Sequence, residues 1–397
     1  MWPISEGCRA ALKTDHSLDV VAEVYDGFRS LIASTYGTPR IEMLGDGAIT
    51  VERKALHTRV VSFSVIDTDG ALIPTFEQRY LDPLYRPQVQ FYFDVGWADE
   101  TGDHVERIPA GRFALDDNDA VEREGGALMQ CTGTGRSSAL VSQNPWTSPF
   151  PIPDGITWDA AIKLALGDRC GLTIADPVTA LSGWSPIFRF SPSTALTPKG
   201  IVLGGDSRSD PWAELQKFAE GDGKELIEDA TGGFVLRPIP TTAGAVVWHY
   251  DETEESTALG SMHRKMRVAD VYNGVIVRCS APWLLFPVTG VAWDTDPFSP
   301  TYYLGPFGMK PKLIDDAIAS TVGQANAAAA VHLGATLGLV EEMPFDALTN
   351  PAHDPGDVVS IGSEALAVTD VALLDSFTLP FDVGRPMTVV VRRTRNG

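Results

Sequence analysis

Residues 47–70 read GAITVERKALHTRVVSFSVIDTDG. This stretch sets the fold class. It runs strand, short connection, strand, then an Asp-Gly turn, which is the short-range signature of a hairpin-rich β structure. Upstream, SLDVVAEVYDGFRSLIAS (17–34) follows the same plan: Val20, Ala22 and Val24 alternate with more polar neighbours before the Asp26-Gly27 turn. Downstream, QVQFYFDVGWADETGDHVERIPAGRFALDDND (88–119) adds strands around a turn near Glu100–Asp103, with DDND (116–119) read as an exposed hairpin tip. ALMQCTGTG (127–135) adds another strand. Residues 17–145 therefore predict an antiparallel β domain, barrel or sandwich. Residues 1–16 form an arm in which 3–14 suit a short helix.

The texture changes after the Pro-rich NPWTSPFPIPDG (144–155). TWDAAIKLALGDRCG (157–171) predicts a helix with Ala160, Ala161, Leu164 and Ala165 on one side, capped by Thr157 or Asp154. DPWAELQKFAEGDGKELIED (210–229) predicts a second helix. Asp210 suits the N-cap and Pro211 the first turn, while Trp212, Leu215, Phe218 and Ala219 share a face. ATGGFVLRPIP (230–240) follows as turn and strand, so 146–250 reads as a small α+β domain. Strand texture resumes at VYNGVIVRCSA (271–281). A helix of small residues, STVGQANAAAAVHLGATLGL (320–339), suits close packing on a sheet, and 251–397 reads as a second β domain carrying that helix. No solenoid-type repeat is present.

Composition narrows the function. There are 52 acidic and 31 basic residues, a net charge of −21. A phosphate-gripping surface needs the opposite balance, which argues against general nucleic-acid binding. The four cysteines (Cys8, Cys131, Cys170, Cys279) are far apart and form no CxxC pair, which argues against a disulfide framework or zinc site. No secretory leader and no run of about 18 apolar residues is present, so no membrane span is expected.

The densest candidate site is NPAHDPGDVVSIG (350–362), which holds His353, Asp354 and Asp357 within five positions. As metal ligands they lack a second nearby His or Cys. The better reading is a turn leading into a strand: Gly356 supplies the positive φ, Asp357 bonds a backbone N–H, and Val358, Val359 and Ile361 are buried. His16, His57, His104, His249, His263 and His332 show no paired metal spacing, and neither a GxSxG elbow nor a Walker loop occurs. Asp294 and Asp296 alternate as calcium ligands often do but lack the glycine and distal glutamate of an EF-hand loop. The expected site inventory is therefore catalytic none, cofactor none, metal none. The aromatic loop WDTDPFSPTYY (293–303) packs a long loop on its own domain or a neighbour, or stacks on sugars.

Several segments taken in order carry a resemblance: VYDG (24–27) leading to GAITVERKALHTRVVSFSVIDTDGALIP, IPAGRFALDD (108–117) after QVQFYFDVGW, residues 211–240, VYNGVIVR (271–278) before the aromatic loop, and the small-residue helix before NPAHDPGDVVSIG. Together they resemble the minor tail or baseplate hub proteins of phages infecting high-GC Gram-positive bacteria. The resemblance implies a mainly β chain, two tube-like antiparallel β-barrel domains flanking a small α+β domain. It implies a homotrimer whose six barrels match the tail tube. The implied partners are the distal tail protein or tail tube, the tape-measure protein, and tail-tip or fibre proteins. It implies a place at the tail tip of the virion after synthesis in the host cytoplasm, and DNA exit through a lumen that does not bind it. The arm MWPISEGCRAAL and the loop 293–307 become candidates for subunit or tube contacts. Some members of that family carry a fused peptidase or lysozyme-like domain. No such extension follows Gly397, so no enzymatic activity is expected. The alternatives are a distal tail or other tail-tip adaptor protein, or a carbohydrate-binding or -cleaving cell-wall protein.

Overall fold

In a computed structural model, the structure describes residues 1–14, 16–26, 31–37, 39–68, 70–74, 80–143, 148–170, 188–197, 201–204, 210–250, 257–259, 262–266, 271–279, 286–315, 321–336, 339–382 and 384–395. The chain is mainly β, built on large antiparallel sheets with few helices. The opening stretch forms the strands Ala48–Glu52 and Arg59–Asp67, paired antiparallel with Thr50 opposite Val60. Arg59–Asp67 continues the sheet onto Gly126–Gly135, Gly102–Arg123, Gln88–Asp99, Ser17–Tyr25 and Leu31–Ser34. On its other side, Ala48–Glu52 pairs with Val368–Pro380, from near the C-terminus, through Ser376↔Glu52 to Pro380↔Ala48. Met387–Arg395 and Leu339–Ala347 follow.

The two β segments thus share one hydrogen-bonded sheet and also one core. Phe91 stands 5.2 Å from Phe63, 5.9 Å from Phe113 and 5.0 Å from Phe381, the last contributed by the C-terminal segment. All four rings are buried. Each such side chain removed from water stabilises by about 1.5–3 kcal/mol, and Phe381 ties the C-terminal segment into this core.

The α+β insert forms as the pattern predicts. Pro211–Glu220 is a helix whose N-cap Asp210 accepts from Trp212 N–H at 2.8 Å and Ala213 N–H at 3.1 Å. Its buried face is Pro211, Trp212, Leu215, Phe218 and Ala219. The helix Trp158–Cys170 also forms, but with a rotated face. Ala161, Ile162, Ala165 and Leu166 are buried, while Ala160 and Leu164 are only partly so. The three-stranded sheet of Phe188–Phe190, Phe234–Pro238 and Lys224–Glu228 completes the insert.

The small-residue helix, Val322–Thr336, lies away from the main sheet. It covers a separate three-stranded sheet of Val288–Trp293, Gly274–Cys279 and Pro311–Asp315. Gly290 explains the close fit: a Cβ there would lie 2.1 Å from the backbone carbon of Ala325. Two further expectations need correcting. Asp116–Asp119 is not a hairpin tip. It lies inside the long strand Gly102–Arg123 beside a register break between Leu115 and Asp117, and the tip is at Glu124-Gly125. The predicted helix over 3–14 shortens to Glu6–Ala11, because the Ser5 hydroxyl accepts from Cys8 N–H and starts it there.

Candidate functional site: a buried polar junction

The stretch 350–362 is the turn and strand that its residues predict. Gly356 has φ +87°, Asp357 N–H donates to Asp354 O at 3.1 Å, and Val358–Ser363 runs on as a strand with Val358, Val359 and Ile361 buried. What the sequence does not show is where its polar side chains point. They enter a junction where the N-terminal arm, both β segments and the insert meet.

His353 sits at the centre, 2% exposed. Its Nε2 lies 2.6 Å from the Tyr250 hydroxyl and 3.3 Å from Asn350 Nδ2, and its Nδ1 lies 3.3 Å from Asp357 Oδ2. Asp357 also pairs with the Met1 ammonium and accepts from Asp354 N–H at 3.0 Å. Burial alone pushes the Asp357 carboxyl up. The His353 hydrogen bond and the Met1 charge outweigh that and hold it below the usual carboxylate range. Burial, then the Asp357 charge, pushes the Tyr250 phenol well above its ordinary value.

Asp354 faces the other way and ties two arginines together. Arg59 Nη2 donates to its Oδ1 at 2.9 Å and Arg237 Nη1 to its Oδ2 at 3.3 Å. Arg59 is 1% exposed and also donates to Ala110 O at 2.8 Å. Arg237 continues to Glu225 at 2.9 Å, and Glu225 accepts from Arg53 at 2.9 Å. One chain of ion pairs therefore links strand Arg59–Asp67, the insert and the C-terminal segment. A second bond crosses nearby: Glu228 of the insert accepts from Arg136 N–H at 2.8 Å and Ser137 N–H at 3.0 Å. Burial raises the Glu228 carboxyl, against the pull of those two donors.

Tyr250, His353 and Asp357 have the connectivity of an acid–base relay. Tyr250 is 0% exposed, so this hydroxyl touches no solvent-borne substrate in this conformation. The remaining candidates scatter. His57 lies 3.1 Å from Ser137 Oγ, His104 lies 3.0 Å from Asp99, and His249 lies 2.7 Å from Ser360 Oγ. Asp294 Oδ1 accepts from Asp296 N–H at 3.1 Å and its Oδ2 from Thr301 Oγ1 at 2.7 Å, so this carboxylate ties its own loop. Among the described residues no three His, Cys, Asp or Glu side chains converge as metal ligands. Cys8 and Cys131 are buried thiols, pushed up to about 12 by burial first and then by Glu106 and Asp117 respectively.

The N-terminal arm docks on its own chain while Pro3, Ser5, Glu6, Gly7 and Ala10 stay exposed. Trp2 N–H donates to Ala352 O at 2.7 Å, Arg9 donates to Val247 O at 3.0 Å, and Cys8, Ala11 and Leu12 are buried. Met1, Trp2 and Ile4 are partly buried against the main core. In the aromatic loop Trp293, Tyr302 and Tyr303 pack together, with ring centroids 5.3 and 6.1 Å apart, whereas Phe298 is 92% exposed.

No family model matches this sequence, and no curated protein matches it. Solved structures do match, nearly end to end. The 43 kDa tail protein of prophage MuSo2 from Shewanella oneidensis is 13% identical, with a TM-score of 0.57 over 95% of this chain and 98% of that one. A tail protein from Neisseria meningitidis is 12% identical, with a TM-score of 0.56 over 94% and 97%. A prophage tail protein from Listeria monocytogenes is 10% identical, with a TM-score of 0.51 over 95% of each chain. The chain has the fold of phage and prophage tail proteins.

Proposed function

We propose that this chain is a structural phage tail protein, the hub at the tail tip that ends the tail tube. The observation that carries the reading is the whole-chain likeness. The match spans 95% of this chain and 98% of the Shewanella tail protein, so the likeness in fold runs over both chains nearly end to end. The finer reading is a homotrimer that contacts the tail tube, the tape-measure protein and the tip or fibre proteins, and through which DNA leaves. The net charge of −21 supports a lumen that repels DNA instead of holding it. The strand Gly102–Arg123 adds exposed Asp116, Asp117, Asp119 and Glu122 to that balance. The role proposed is assembly without catalysis, and burial of the Tyr250–His353–Asp357 relay supports it. Phe298 and Leu304, 92% and 65% exposed, are the side chains offered to neighbouring proteins.

Electron-microscope class averages of the purified chain, with its mass in solution, test this. A three-fold ring with an open centre is the expected result. A chain that stays monomeric and also fails to bind purified tail tubes would falsify the proposal.

A further inference from the structure

A cleft of about 590 Å³ opens where the insert, the main sheet and the small sheet of 274–315 come together. Two of its walls are strand edges. Residues 312–315 all line it, although side chains along a strand alternate between two faces. Four consecutive residues meet one space when their strand is approached edge-on. Residues 225–227 line the cleft in the same way, and they belong to Lys224–Glu228, an outer strand of the insert's sheet.

The edges are not equally open. In the small sheet, Val288–Trp293 and Pro311–Asp315 are the two outer strands. The first is capped by the covering helix: Val291 N–H donates to Asn326 Oδ1 at 2.9 Å. On the insert's strand, Leu226 O accepts from Gln216 Nε2 at 3.2 Å. Among the described residues no strand pairs with the outer edge of Pro311–Asp315, which opens into the cleft with Leu313 64% exposed. Such an edge is a template for one more strand, because its outward N–H and C=O groups pair with any extended backbone. Its five residues, at about 3.3 Å each, give about 16 Å of edge. The exposed charges of the cleft are Lys54 and Lys312 against Glu220 and Asp315. Ile227, Ile239 and Ile314 add apolar surface. Walls so balanced fit a segment without strong charge that carries aliphatic side chains at alternate positions.

We propose that this edge takes up such an extended segment from another protein. The segment adds a fourth strand to the small sheet, beside Pro311–Asp315, and is held chiefly by main-chain hydrogen bonds.

The probe is the acetylated, amidated hexapeptide NGVIVR, a copy of residues 273–278. This sequence already pairs with Pro311–Asp315 along its inner edge, through Ile276↔Leu313 and Val277↔Ile314. Calorimetric titration of the full chain with the peptide is expected to saturate. Hydrogen exchange should slow in 311–315 and stay unchanged in Val288–Trp293. N-methylated peptides separate strand addition from simple apolar adsorption. Alternate amides of an extended chain point to opposite edges. Methylating one alternate set should therefore abolish binding, and methylating the other should leave it intact. No saturable binding, protection elsewhere than 311–315, or equal loss from both methylated sets overturns the proposal. So does faster exchange in Gly274–Cys279, which would mean that the peptide displaces the native strand.

Discussion

Around Asp354 the chain closes through charge, and around Gly290 it closes through the lack of a side chain. At the first place, carboxylates and guanidiniums from the two β segments and the insert fill a junction between elements distant in sequence. At the second, a helix without a single charged residue lies directly on a strand, and all the elements come from 274–336. The two regions show that one chain can close an interface by satisfying polar groups or by removing atoms. The failure modes differ accordingly. A junction of ions fails when one partner is deleted, because the other is left charged and buried. A close-packed contact fails when an atom is added.

Deleting a partner gives the largest expected effect. Asp354→Ala strands Arg59 in the interior and is expected to cost about 3–5 kcal/mol, read as a lower midpoint in urea. Asp354→Asn keeps the volume and shows how much of that loss is charge. Adding an atom comes next. Gly290→Ala pushes the helix Val322–Thr336 off its strand and is expected to cost about 1–3 kcal/mol. Hydrogen exchange should rise across 274–336 and stay unchanged in Arg59–Asp67. If both variants loosened the whole molecule equally, the contrast between the two regions would fail.

A smaller effect separates capping from both. Asp210→Ala removes the acceptor for two helix N–H groups and for Ser142 Oγ at 2.8 Å. The expected loss is about 1 kcal/mol. The effect of pH also bears on the junction. The folded Asp357 carboxyl sits below its unfolded value, so its contribution is present above about pH 4 and is lost as pH falls further. The urea midpoint should fall on acidification, and Asp357→Asn should flatten that slope. Glu228 works in the opposite direction. Its raised carboxyl, like that of Asp354, takes up its proton at higher pH in the folded than in the unfolded chain, so both relieve a cost as pH falls toward about 4, before the Asp357 contribution is lost.

Much of the local structure was legible in the residues. Asp210 and Pro211 announced a helix start, Gly356 announced a turn, and the small residues of 320–339 announced a close helix-on-sheet contact. The misses have specific causes. In Trp158–Cys170 the predicted Ala161 and Ala165 are buried, but the face is completed by Trp158, Ile162 and Leu166 and leaves Leu164 half-buried. The DDND tip was misplaced because a bulge lets four polar residues continue a strand.

The sequence by itself determined strands, turns, caps and the polar density at 353–357, because those depend on residues a few positions apart. Only the tertiary structure decided what that density is for. The partners of His353 and Asp354 lie 103, 117 and 295 positions away, at Tyr250, Arg237 and Arg59. Pairing of the first and last β segments brings Arg59, pairing of Trp248–Tyr250 with Val358–Ser363 brings Tyr250, and the insert's own sheet brings Arg237, and in the low-dielectric space so formed each charge requires a specific neighbour.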